Sequence, residues 1–241
     1  MFSKETINKA YKNVFGGSVV EHWLFSALDP EIFKQETEWS QRPLDVGYRR
    51  YKAPAYTGHR ERETLAELFS SPQTAHLKKD ISMRNEDRLD TQSWAHFLNR
   101  CKFILGSEAG GSYFDPTDTF RLKVNRYCSE HPDHTWQNIE DHFLGSAVNV
   151  YDGRIAPSSL FEAAGTGTGL ILYEGQYSGV LKANTHYLPL KKDHSNLTSI
   201  LEQMKDNAIQ EMIDRVHRHV LKHHTYNQRI QELESIINRQ I

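Results

Sequence analysis

The sequence predicts an α/β domain built on one doubly wound parallel sheet, with helices before and after it. Three observations carry this. Short apolar runs, among them Phe103-Ile104-Leu105 and Leu170-Ile171-Leu172-Tyr173, alternate with stretches of helical period. Loops that carry glycine, Gly106 to Ser112 and Glu174 to Gly179, follow both of these runs. Strand and helix alternating along one chain is the pattern of a parallel sheet covered on both faces, and such sheets bind ligands beyond the carboxyl ends of their strands.

Residues 3–28 read as helix, with Val19, Val20, Trp23, Leu24 and Leu28 on one stripe and a break at Gly16-Gly17. A polar, charged connector runs from Asp29 to Arg42-Pro43 and leads into a first strand at Leu44 to Tyr48. Leu65, Leu68 and Phe69 predict a helix over Glu63 to Phe69, followed by a short strand at Leu77 to Ser82. Trp94, Phe97, Leu98 and Cys101 form a helical stripe that runs into the strand Phe103 to Leu105. A polar, partly helical insertion at 116–155 interrupts the alternation. It resumes with a helix at Leu160 to Ala164, the strand Leu170 to Tyr173, a strand at His186 to Leu190 and a helix at Asn196 to Met204. Two stripes close the chain: Ile209, Met212, Ile213, Val216 and Val220, then Tyr226, Ile230, Leu233 and Ile237. The division is therefore 1–39 as helical segment and linker, 40–206 as the sheet domain and 207–241 as C-terminal helices.

At 241 residues the chain suits one ordinary domain with appendages. Lys plus Arg number 29 against 31 Asp plus Glu, a net charge of −2, which argues against a nucleic-acid partner while leaving room for a local basic site. Apolar content of 38% with 11% aromatic residues describes a folded, rather polar protein. The first residues hold no apolar signal core, and the greasiest stretch, Ile155 to Tyr173, contains Glu162 and three glycines, so neither secretion nor a membrane span is expected. Two cysteines, Cys101 and Cys128, make no disulfide framework, and a cytoplasmic location is expected. His219 and His223 have the i,i+4 spacing of a helical metal pair but no third ligand at a motif spacing, so no metal is expected.

Gly165, Gly167 and Gly169 follow a helix and precede a strand, the reverse of a phosphate-cradling loop, and read as a helix C-cap and turn. The other end of that helix, Pro157-Ser158-Ser159, offers backbone N–H groups and a positive dipole end to a diphosphate. Glu162, one turn in, is placed to accept from a ribose diol; an ordinary exposed helix glutamate is the simpler reading. Gly110 and Gly111, after one strand, and Tyr177, Ser178 and Gly179, after the next, stand where ligands approach such a sheet, or form plain turns. Arg49, Arg50 and Lys52 follow the first strand and are suited to clamping phosphates, with a solvated charged loop as the alternative.

Taken in order, these segments resemble the C-terminal half of GT-B glycosyltransferases. Leu28-Asp29-Pro30-Glu31-Ile32-Phe33 is similar to the family's interdomain linker. Phe161 to Gly169 is similar to its Glu-Ala-Met-Ala-x-Gly-x-Pro helix and turn. Cys101 to Gly111 and Glu174 to Asp193 extend the likeness, and His186-Tyr187-x-Pro189-Leu190-Lys191-Lys192-Asp193 points to a bacterial polysaccharide-type branch. The resemblance spans roughly residues 28–205. It implies a Rossmann-like domain that binds a nucleotide-sugar donor for hexosyl transfer to a glycan or lipid-linked acceptor, without cofactor or metal. Glu162 would hold the nucleotide ribose, Ser158 and Ser159 the diphosphate, and the glycine loops the sugar. Two positions depart from the pattern. The second glutamate of the retaining group is replaced by Arg154, leaving Glu108, with Arg49, as the catalytic candidates, and Ser159-Leu160 stands where the branch carries Arg-His. Only 27 residues precede the linker, so an acceptor domain is expected from a protein partner or a second copy, docked on the tail and N-terminal stripes. A catalytically inactive scaffold module of the same fold is the alternative.

Overall fold

Among the described residues, short apolar runs and one polar edge run form a sheet of five parallel strands. The computed structural model describes residues 24–111, 117–144, 154–206 and 208–239; most of the predicted N-terminal helix, with Val19, Val20 and Trp23, lies outside them. Strand β1 is Leu44–Arg49, and helix α1, Glu61–Ser70, leads to β2, Lys79–Ser82. Helix α2, Thr91–Arg100, leads to β3, Cys101–Gly106. Helices α3, Thr119–Glu130, and α4, Trp136–Ile139, follow in the insertion. Then come α5, Ser158–Gly165; β4, Gly169–Tyr173; β5, Leu188–Leu190; α6, Leu197–Gln203; α7, Ile209–His223; and α8, Tyr226–Asn238.

The strand order is β2-β1-β3-β4-β5, and every pairing is parallel. From β1 the chain moves outward to β2, whereas from β3 it moves the other way to β4 and β5. The sheet is therefore doubly wound, as the sequence predicts, and its topological switch point lies between β1 and β3. One layer buries Leu98, Leu160, Phe161 and Leu172 with Leu28 and Phe33 of the connector. The other buries Leu65, Phe69, Leu105, Ile171 and Ile200. Helix α7 serves both: Ile209 and Ile213 enter the second layer, Val216 and Val220 the first.

Four sequence expectations change. Residues 24–28, read as the end of the N-terminal helix, are not helical; Leu28 forms a parallel bridge with Thr225 and continues into the connector. β5 begins at Leu188 rather than His186, because Lys182 to Tyr187 is a turn in which the Lys182 carbonyl accepts from His186 N at 2.8 Å. β2 begins at Lys79 rather than Leu77, whose N–H is bonded back to the Thr74 carbonyl at 3.1 Å. The α7 stripe, expected as part of a docking surface, is packed on its own sheet, since four of its apolar residues fill the two layers. The α8 stripe is open: Tyr226, Ile230, Leu233 and Ile237 are 44–56% exposed.

The chain divides into two compact units, one of residues 1–23, 52–61 and 109–155, the other of 24–51, 62–108 and 156–241. In the first, Ala109 and Ile155 exchange two backbone hydrogen bonds of 2.9 Å, Arg154 pairs with Glu61 at 2.8 Å, and Tyr127 packs among His131, His134, His142 and Phe143. The second holds the sheet. Among the described residues no helix is long and apolar enough to cross a membrane.

The amino ends of the strands are tied by Arg42, which is 3% exposed. Its guanidinium donates to the carbonyls of Thr37, Leu98, Cys101 and Thr166 and to Thr168 Oγ1, at 2.5–3.3 Å. These acceptors belong to the connector, the end of α2, the start of β3 and the α5–β4 turn. Burial lowers the guanidinium pKa to about 10, so the charge persists at neutral pH. We expect Arg42→Met to cost about 3 kcal/mol, since it leaves several buried carbonyls without a donor. Urea unfolding checks this, and a loss under about 1 kcal/mol would remove Arg42 from its structural role.

A second joint lies where the connector meets the tail. Leu28 N donates to the His224 carbonyl at 2.9 Å, and Phe161 stacks on the His224 ring. Arg229 donates to His224 Nδ1 at 2.6 Å, which requires a neutral ring. Burial, with the Arg229 charge, lowers the His224 pKa to about 3, and burial beside His219 lowers that of His186 to about 4. The unfolded chain takes up these protons first, so the stabilisation is present above pH 6.5 and is lost as pH falls toward 4. The urea midpoint should drop between pH 7.5 and pH 5. Replacing both histidines by phenylalanine should flatten that dependence, and an unchanged slope would refute this origin.

Candidate functional site

The switch point directs attention to the carboxyl ends of β1 and β3. The residue after β1 is Arg50, half-buried, whose guanidinium donates to the Arg49 carbonyl at 2.9 Å and to Ser159 Oγ at 2.8 Å. It lies 5.6 Å from the centre of the Trp94 ring. Ser159 is in the first turn of α5, whose N-cap is Pro157 and which no side chain caps. The first N–H groups of such a helix have no partner within it and form its positive end. Arg50 is thus a cation held against another positive pole, with acceptors that carry no charge. Burial first, and the neighbouring Arg62, lower its pKa from the usual arginine range, while Tyr48 and Glu162 act in the other direction.

Glu162 lies on α5 one turn beyond Ser158. One of its oxygens accepts from Trp94 Nε1 at 2.8 Å, which orients the carboxylate. Arg50, Ser159, Trp94 and Glu162 therefore form one connected group in which the cation and the carboxylate are steered by the same indole. An anion between Arg50 and the start of α5 would relieve the crowding of positive charge, and Glu162 could accept from hydroxyls beside it.

The other sequence candidates fall elsewhere. Arg49 is paired with Asp80 at 2.5 Å and lies over the Phe97 ring, so its charge is already engaged. Glu108 is buried and accepts from Tyr177 N at 2.6 Å, a contact with backbone rather than an open catalytic position. Tyr177, Ser178 and Gly179 form the loop between β4 and β5, with φ of 45°, 55° and 73°. Lys52, Gly110 and Gly111 belong to the first compact unit, where the Gly110 carbonyl is 3.1 Å from His59 Nε2. Gly106, at the end of β3, lacks a Cβ because one would come within 2.8 Å of Leu160 and Leu172: it admits a helix, not a ligand. Among the described residues, no three His, Cys, Asp or Glu side chains are grouped to hold a metal.

Trp94 is the site residue that sequence reasoning missed, because it reads as one more apolar member of the α2 stripe. A tryptophan packed on a core still carries an N–H that needs an acceptor, and that requirement points to a carboxylate nearby.

A family model described as glycosyl transferase-like matches residues 47–235. No curated protein matches the sequence. Among solved structures, sucrose-phosphate synthase from Thermosynechococcus elongatus superposes with a TM-score of 0.53 at 8% identity, over 99% of this chain. The chain spans 57% of the length of that protein. At that identity the likeness concerns the fold.

Proposed function

The chain belongs to the glycosyl transferase-like family, and from that premise we propose that it binds a nucleotide-sugar donor in hexosyl transfer to a glycan or lipid-linked acceptor, as the donor-binding, C-terminal type of GT-B domain in a polysaccharide branch. The observation that carries this reading is the Arg50 guanidinium held at 2.8 Å from Ser159 at an uncapped helix start, with no ion pair to a carboxylate among the described residues. Such an arrangement favours a dianionic group, and a diphosphate is the leaving group of sugar transfer. Charge that develops on that leaving group as the glycosidic bond breaks would be met by Arg50 and by the N–H groups of Ser158 and Ser159. Glu162, oriented by Trp94, would accept from the ribose hydroxyls.

This reading predicts separate effects on binding and folding. Glu162→Ala should weaken nucleoside diphosphate binding by about 1.5–3 kcal/mol, the range for hydrogen bonds to a charged group. Arg50→Ala should weaken it at least as much while shifting the urea midpoint little, because it removes a cation held beside a positive pole. Titration calorimetry with UDP, GDP, dTDP and ADP decides the matter, and equal affinities in wild type and both variants would exclude this site. Binding should also survive EDTA, since the protein itself supplies the neutralising charge. A loss on chelation that magnesium restores would contradict metal-independent binding.

A second reading, a donor-binding module that does not catalyse transfer, draws support from one observation. The two residues expected to catalyse, Arg49 and Glu108, are both engaged within the protein. Release of free sugar or of glycosylated acceptor from a radiolabelled donor separates the two readings.

A further inference from the structure

The loop that follows β4 concentrates unusual backbone. Gln176 is right-handed helical, at φ −87° and ψ −28°, and Tyr177, Ser178 and Gly179 are all left-handed. A right-handed residue followed by a left-handed one turns successive N–H groups toward a common point, which makes a concavity for an anion. Here the anion is internal. Glu108 Oε1 accepts from Tyr177 N at 2.6 Å, and Oε2 occupies space that a Cβ on Gly175 would approach to 2.6 Å. Glu108 is 7% exposed, and a carboxylate that deep requires donors of this kind.

The same loop reaches the start of α5. Ser178 Oγ lies 3.4 Å from the N–H of Ala156, the residue before the Pro157 cap. Tyr177, Val180 and Leu181 share a core layer with Ala156 and Leu160. Non-glycine residues seldom hold positive φ, and Tyr177 and Ser178 keep it only because their surroundings fix them.

We propose that Glu108 is a positioning residue: its carboxylate fills the anion nest of the β4–β5 loop and, through Ser178, sets the start of α5 on which Ser158 and Ser159 would meet a donor diphosphate. The final step rests on the donor-binding reading; the setting of α5 does not. One consequence is that Tyr177, Ser178 and Gly179 serve the donor indirectly. Their nest is taken by Glu108, so phosphate is received at α5 and Arg50.

The test uses Glu108→Ala, Glu108→Gln and Gly175→Ala in the full chain, with two measurements on each. Backbone hydrogen exchange without ligand reads the positioning directly, and calorimetry with UDP and with ADP reads its consequence. In E108A, exchange should accelerate at Tyr177 and Gly179 and also at Ala156 and Leu160, whose N–H groups are hydrogen-bonded, and nucleotide affinity should fall at least tenfold. E108Q retains an acceptor oxygen of the same reach and should bind within threefold of wild type. G175A places a methyl group 2.6 Å from the present position of Oε2, which forces the carboxylate to move, and should reproduce the E108A pattern. Unchanged exchange at Ala156 and Leu160 in E108A would overturn the proposal, as would a glutamine variant no better than alanine. If E108A does not fold, G175A read against E108Q decides by the same two measurements. If wild type binds neither nucleotide while the exchange pattern appears as stated, the positioning role stands and the donor reading fails.

Discussion

The sheet depends on a buried cation whose hydrogen-bond acceptors are all neutral. Arg42 sits below the amino ends of β1, β3 and β4 and satisfies its guanidinium with four carbonyls and one hydroxyl drawn from four separate segments. A neutral residue there would leave those acceptors facing one another, and an ammonium could not span them, because only the planar fork presents donors in several fixed directions. With the amino ends locked, the carboxyl ends are free to differ in their loops. That is where the sheet can carry a site without loss of the fold.

Three arginines close in sequence illustrate how environment assigns different roles to one side chain. Arg42 is saturated by four backbone carbonyls and the Thr168 hydroxyl. Arg49 is neutralised by Asp80 and covered by Phe97. Arg50 is half-buried and bonded to a carbonyl and a hydroxyl beside the positive end of α5. Only the third has charge left to offer. The catalytic candidates read from the sequence are used within the protein, and the donor-side candidates Arg50, Ser159 and Glu162 are the ones brought together.

Much of the architecture was legible because it rests on local pattern. The apolar runs of β3 and β4 cannot be mistaken, and the glycine turn after α5 follows from helix-then-strand order. What the pattern conceals is contact over long separations. Arg42 reads as the end of a charged connector, yet it reaches Thr168, 126 positions away. Glu108 reads as an open loop carboxylate because nothing local announces that Tyr177, 69 residues later, will turn its N–H toward it. The two tail stripes look alike in sequence, but α7 closes both core layers while α8 keeps its apolar side exposed. Periodicity locates a stripe and is silent about what covers it.

The central claim is that a nucleoside diphosphate is received between Arg50 and the first turn of α5. Nuclear magnetic resonance of the ¹⁵N-labelled chain during titration with nucleoside diphosphates tests it most directly, since it reports on individual N–H groups. The account predicts that the largest shifts fall on the amides of Ser158, Ser159 and Leu160, on Arg50 Nε and on the Trp94 indole. Saturable shifts confined to other loops, with these five resonances unmoved, would contradict it.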